Sequence, residues 1–127
     1  MTDELSVHTR ATPAGPVIEL AGHLDHHSAP GVRALLPGLA LQPGQELIID
    51  LARLASCDSS GITVLIAARN HAHAARATVA LTAVPERVTR IFRTAGLDRV
   101  FTTYPTAQAA EAARAALPSG PPDNTAQ

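Results

Sequence analysis

The sequence predicts a single α/β domain with a mixed, mostly parallel sheet of four to five strands and about four helices, in the order β-β-α-β-α-β-α-β-α. Three observations predict it. Two short apolar or alternating runs, Leu5 to Arg10 and Val17 to Gly22, flank the turn sequence Thr12-Pro13-Ala14-Gly15-Pro16, which marks a hairpin. Beyond the hairpin, short strand-like runs alternate with helical spacings, so the later strands must be joined by crossover helices and lie parallel. A chain of 127 residues is long enough for one such core, burying roughly two-thirds of the surface its unfolded form exposes.

Each element has its own signal. After a loop at 23–27, Ser28 is expected to cap a helix whose apolar positions Val32, Leu35, Leu36 and Leu39 follow i, i+3, i+4, i+7 spacing. Pro30 is tolerated in its first turn, and Pro37 bends or ends it. Leu41 to Gln45 contains Pro43-Gly44 and reads as a loop, and Glu46 to Asp50 as a buried strand. Ser59 to Ala77 reads as a central, largely buried helix, with Ile62, Leu65, Ile66 and Arg69 on one stripe. Thr78 to Ala83 alternates like a strand. Pro85 opens a helix carrying Val88, Ile91, Phe92 and Ala95, and Gly96 stops it. Val100-Phe101 is expected to form a brief strand, and Thr106 to cap an alanine-rich helix reaching about Leu117. The domain is thus 1–117. Residues 118–127, beginning Pro118-Ser119-Gly120-Pro121-Pro122, have the composition of a disordered tail.

Composition narrows the function. The formal net charge is −1, with no lysine and ten arginines scattered along the chain, so no basic stripe serves nucleic acid or an anionic membrane. Two Phe, one Tyr and no Trp leave few rings for base stacking or aromatic-driven binding. The expected partners are proteins or small molecules. A single cysteine, Cys57, excludes an internal disulfide; with no charged-then-apolar leader or long apolar run, a cytoplasmic protein is expected.

The stretch Ser56-Cys57-Asp58-Ser59-Ser60-Gly61 falls at a strand-to-helix joint, the edge where α/β sheets meet ligands and partners. Asp58 is a good N-cap, accepting from the N–H of Ser60 or Gly61, and its charge suits the positive helix end. Ser59 and Ser60 fill the first turn, where a phosphate would meet unpaired N–H donors. Gly61 lets another surface approach. On local physics alone the segment reads first as an ordinary cap. A serine hydrolase is a remote reading: the nucleophile pattern G-x-S-x-G is absent, and an acid beside the hydroxyl raises its pKa. No catalytic residue is assigned. The loop His23, Asp25, His26, His27 lacks metal-ligand spacing, and His71 with His73 points to different sides of a helix, so neither metal nor cofactor is expected. Cys57 adjoins an acid at a buried position and reads as a packed, inert thiol.

Two segments together, "AGHLDHHSA" at 21–29 and "DLARLASCDSSGITVLIAA" at 50–68, resemble the paired motifs of STAS domains of the anti-sigma factor antagonist family. "PERVTRIFRTAGLDRVF" at 85–101 is similar to that family's closing helix and exit. The likeness spans about residues 5–117. It implies a regulatory binding module, not an enzyme: the unphosphorylated form binds an anti-sigma factor that is also a serine kinase, freeing a sigma factor, and phosphorylation breaks the complex.

Carried over by motif, the acceptor is Ser59, with Ser60 ranked behind it, and a serine phosphatase would reverse the mark. The implied partner surface comprises Asp25, Asp58, Ser60, Gly61, His23 and His26; His23 stands where relatives often carry Glu. The alternative is an unmodified STAS subunit of a transport or lipid-trafficking complex. A monomer is expected, with the hairpin's edge strand leaving room for weak dimerisation.

Overall fold

Strands β1 (Ser6–Thr12) and β2 (Gly15–Leu24) pair antiparallel across the two-residue turn Pro13-Ala14, with Thr12 opposite Gly15 and Ser6 opposite Ala21. Thr12 Oγ1 locks the turn, donating to the Gly15 carbonyl at 2.7 Å and accepting from the Gly15 N–H at 3.2 Å. Three crossovers follow in this computed structural model, which describes residues 5–115. Helix α1 (Ala29–Leu35) and a 3-10 turn (Leu36–Gly38) lead to β3 (Glu46–Cys57). Helix α2 (Ser59–Ala74) leads to β4 (Thr78–Thr82), and α3 (Glu86–Ala95) to β5 (Thr102–Tyr104), before α4 (Ala107–Ala115). The predicted element order is the observed one. The five strands lie in chain order, with β2 to β5 parallel.

Because the strands run in chain order, every crossover steps the same way and its right-handed connection sets its helix on the same face. That face holds the main core, where Ile18, Leu20, Leu47, Ile49, Val79 and Leu81 of the sheet meet Val32, Leu65, Ala68, Val88 and Phe92 of the helices. Neighbouring strand residues point the opposite way. Val17 and Ile48 therefore join Ala14 and Ala110 in a smaller cluster under α4, with Tyr104 and Ala107 packed against it. A sheet wound in one direction has no reversal point and no crevice of the doubly wound kind. Contacts at its strand-to-helix edge must be made with exposed loop ends.

Several details differ from expectation for identifiable reasons. Strand β3 runs past Asp50 to Cys57 because β2 continues beside it, with Gly22 opposite Leu54 and Leu24 opposite Cys57. Helix α2 stops at Ala74, not 77: Arg76 turns left-handed (φ 62°), and the N–H of the buried Ala77 returns to the Ala72 carbonyl. The last strand is Thr102–Tyr104, not Val100-Phe101, since the Val100 N–H closes a turn on Leu97 and the Phe101 ring packs inward. Ser28 precedes α1 without capping it; its hydroxyl serves the preceding loop. Leu35 and Ile91 are exposed, so the apolar stripes of α1 and α3 are narrower than their spacing implied. Gly96 does stop α3 in the left-handed conformation, and Thr106 Oγ1 accepts from the Ala109 N–H as a cap. Leu117 and the tail 118–127 lie outside the described residues.

Candidate functional site

Chain extension ends at Asp58, whose backbone is still strand-like (φ −102°, ψ −169°). Its Oδ1 accepts from the N–H of Ser60 at 2.8 Å and of Gly61 at 3.1 Å, and its carbonyl accepts the first helical bond, from Ile62, at 3.0 Å. Asp58 is therefore the N-cap of α2, satisfying two donors that a helix start leaves unpaired. Ser59 opens the helix and is exposed, whereas Ser60 is half-buried. Exposure thus separates the two residues. With the Ser60 and Gly61 donors taken by Asp58, a phosphate on Ser59 would find fewer open N–H groups than the bare sequence implies.

The loop carrying His23 and Asp25 is beside this helix start because β2 and β3 are parallel neighbours. His23 lies opposite Ser56, and the Asp58 N–H donates to the Leu24 carbonyl at 3.2 Å. A register shift between Gly22 and His23 is taken up by Gly22 at φ 114°, a conformation that side chains rarely adopt. His23 Nδ1 and Ser56 Oγ share a 2.6 Å hydrogen bond, tying the two segments together. Gly61 is buried, and the surface approaching it is this chain's own: a Cβ there would lie 2.6 Å from Cys57 Sγ and 2.7 Å from the Leu24 carbonyl oxygen.

Asp25 holds its own loop. Oδ1 accepts from the N–H of His27 at 3.0 Å and of Ser28 at 3.1 Å, and the Ser28 hydroxyl donates to the His23 carbonyl at 2.7 Å. The bond from the Ser28 N–H, followed by that from His27, keeps the Asp25 carboxyl below the ordinary carboxylate range. Beyond it the rings of His26 and His27 stack, centroids 4.7 Å apart, and both residues are exposed.

One edge of the sheet thus carries all the sequence-selected residues, but they play different parts. Asp58, Ser59 and His26 face outward; His23, Asp25 and Ser60 are half-buried; Gly61 is inside. Sequence reading passed over Leu24 and Ser56, which join the two segments. The only signal for them is the parallel register of β2 on β3. Cys57 is buried, and burial, with a contribution from the Asp58 charge, pushes its thiol up to about 11. Such a thiol is a poor nucleophile. Of the three histidines in this loop, His23 bonds Ser56 and not Ser59. Among the described residues, no group of three or more His, Cys, Asp or Glu stands close enough to hold a metal ion.

Residues 7–103 match the family model described as "Mlab, STAS domain". Solved structures share the fold. An anti-sigma factor antagonist from Mycobacterium paratuberculosis superposes with TM-score 0.77 at 23% identity, over 91% of this chain and 97% of that one. The phosphorylated form of SpoIIAA, a Bacillus cell fate determinant, gives 0.65 at 22% identity, over 85% and 99%. A sulfate transporter family protein from Wolinella succinogenes gives 0.72 at 15% identity, over 84% and 88%. The matched family segment contains the parallel sheet almost entire, with both loops that meet at its edge, and the chain belongs to the STAS-domain family.

Proposed function

We propose that this chain is an anti-sigma factor antagonist: unphosphorylated, it binds an anti-sigma factor with serine kinase activity and so frees a sigma factor, and phosphorylation of Ser59 by that kinase breaks the complex. The observation that carries the reading is an exposed Ser59 at the first helical position, beside an Asp58 that has already claimed the neighbouring N–H donors. A phosphate there adds about −1.5 to −2 charges to a chain whose formal total is −1. Those charges sit next to a carboxylate, on an edge already stapled together by backbone bonds. The fold stays, and a partner packed against Ser59 meets repulsion. The likeness in fold to SpoIIAA, whose unphosphorylated and phosphorylated forms have both been solved, supports it. Asp58, Ser60 and His26 would form the contact surface, with His23, Asp25 and Gly61 shaping it. A serine phosphatase would reset the switch.

The test is incubation with ATP and the serine kinase encoded nearest to this gene, followed by phosphopeptide mass spectrometry and binding assays. Phosphate at Ser59 is expected, with the Ser59→Asp protein binding the kinase on the order of a hundredfold more weakly than Ser59→Ala. Equal binding of the two variants would reject the switch.

A second reading has its own support. The sulfate transporter family protein and the murine anion transporter Slc26a9 share this fold, the latter over 91% of this chain and 23% of that one. As a subunit of a transport or lipid-trafficking complex, the chain would dock through the same edge with Ser59 unmodified. Failure of an active kinase to label Ser59 would favour that reading.

A further inference from the structure

The two edges of the sheet differ. At one, β5 is three residues long and Pro105 follows it at once, so little main chain is offered there. At the other, β1 runs for seven residues, is opposed by β2 at every position without a bulge, and among the described residues has β2 alone as a neighbour. Its central residues His8, Thr9, Arg10 and Ala11 are all exposed. The devices by which edge strands avoid pairing are missing. The strand has no proline, the chain has no lysine, and the charge of Arg10 is engaged by Glu19 at 3.7 Å and Glu111 at 3.0 Å.

Register decides which main-chain groups are free. Thr12 and Gly15 face each other across a two-residue turn as a bonded pair, so bonded pairs recur at Arg10–Val17, His8–Glu19 and Ser6–Ala21. Pro16, which has no N–H, accordingly stands opposite Ala11, at a non-bonded position. The N–H and C=O groups of Val7, Thr9 and Ala11 therefore point away from β2, along the open edge.

We propose that this edge pairs with β1 of a second copy of the chain, antiparallel, about a twofold axis through Thr9. That register overlaps the strand Ser6–Thr12 end to end. Thr9 meets Thr9 of the second copy and Val7 meets its Ala11, each pair exchanging the free N–H and C=O groups. The side chains agree with it: a Thr–Thr pair stands on the axis with a Val–Ala pair to either side, and His8 meets an Arg10 whose charge two glutamates already balance. Moving the axis to Arg10 would set two arginines face to face, and moving it to His8 would leave Ala11 opposite Leu5, beyond the strand. Association closes at two, because the pairing is isologous and the β5 edge is too short to extend the sheet. The two copies of β3 then run in opposite directions, so the two Ser59 ends lie on opposite sides and both stay open. Contact through a single strand is small, and the dissociation constant is on the order of 100 μM.

The test is sedimentation equilibrium of the full-length chain from about 10 μM to about 1 mM, with amide hydrogen exchange over the same range. The average mass is expected to rise from 13.2 kDa towards twice that value, and the Val7, Thr9 and Ala11 amides to exchange more slowly as concentration rises. Thr9→Lys and Thr9→Glu each set like charges across the axis and should weaken self-association about fivefold or more, and an equimolar mixture of the two should restore it. Thr9 is exposed and its main chain is not bonded to β2, so both variants keep the fold, which circular dichroism checks. A chain that stays monomeric at about 1 mM overturns the proposal and leaves the edge to a strand of another protein. So does a dimer that Thr9→Lys leaves equally tight, or a mixture no tighter than either variant alone, since neither fits an axis at Thr9.

Discussion

Gly61, in the first turn of α2, and Leu24, at the end of β2, approach so closely that a Cβ on the glycine would lie 2.7 Å from the leucine carbonyl oxygen and 2.9 Å from its Cγ. The same carbonyl accepts the Asp58 N–H. Helix start and neighbouring loop are thus one body, joined again by the His23–Ser56 bond. On the proposed function, a partner that reads Ser59 would also read a loop whose position is set by the same contacts.

Gly61→Ala is therefore expected to destabilise the fold by about 1–3 kcal/mol, the range for overpacking a filled interior. Relief by a side-chain rotation is not available, since the obstructing groups are a strand carbonyl and the buried Cys57 sulfur. Urea denaturation monitored by circular dichroism checks it. An unchanged midpoint would mean the two segments slide apart at little cost.

Asp25 should make the loop acid-sensitive. Its carboxyl lies below the ordinary value of 3.8 in the folded chain, held there by the Ser28 and His27 N–H groups. The unfolded chain therefore binds this proton more readily, so the stabilising contribution is present above the ordinary value and is lost as pH falls through the folded one. Carbon-13 titration of the Asp25 carboxyl should give a midpoint under 3.8, and Asp25→Ala should flatten the acid limb of the stability curve. A midpoint at or above the ordinary value contradicts the bonding described.

Cys57 sets the opposite limb. Burial raises its thiol from 9.0 to about 11, so between those values the unfolded chain has lost a proton that the folded chain retains. Stability therefore falls as pH rises through that window, by about 1–2 kcal/mol once solvent screening is allowed for. Cys57→Ala should remove the slope, whatever it costs in packing. Alkylation by iodoacetamide at neutral pH should also be slow until the chain is unfolded. A fast reaction in native conditions would place the thiol at the surface.

The fold was legible because its signals are local. Thr12 to Pro16 announces a turn, Asp58 a cap, Gly96 a stop, and the helical spacings of Val88 and Phe92 or Ile62 and Leu65 announce buried faces; each acts within a few residues of itself. The outward half of the candidate site, Asp58 as cap and Ser59 as first helical residue, was placed from the sequence for the same reason. What stayed hidden depends on pairing between distant segments. Nothing near Gly61 says that the surface it admits is Leu24, and nothing near Ser56 says that His23 is its partner, because both follow from a parallel register that the chain sets only when β2 meets β3. Strand β3 beyond Asp50 was hidden likewise: Ala52 and Arg53 are exposed, but β2 is long enough to resume pairing, after a register shift, at Arg53. Phe92 and Phe101 belong to separate elements in the sequence, and only the folded chain brings their rings into a stack, 5.5 Å between centroids, in the main core.

The last expectation concerns how Asp58 governs the charge on Ser59. In the native chain the Ser60 and Gly61 N–H groups point to Asp58 Oδ1, so an added negative charge at Ser59 meets a carboxylate as well as the favourable end of the helix dipole. The two effects oppose each other, and Ser59→Asp alone should change stability by less than about 0.5 kcal/mol. Asp58→Ala removes the cap and should cost about 0.5–2 kcal/mol. In that background the two donors are free, and Ser59→Asp should recover about 0.5 kcal/mol or more. A double-mutant cycle by urea denaturation reads the difference as a coupling energy. If charge at Ser59 is as neutral without Asp58 as with it, then the Asp58 bonds are not what keeps the added charge turned outward, and repulsion of a partner would have to arise from its own surface alone.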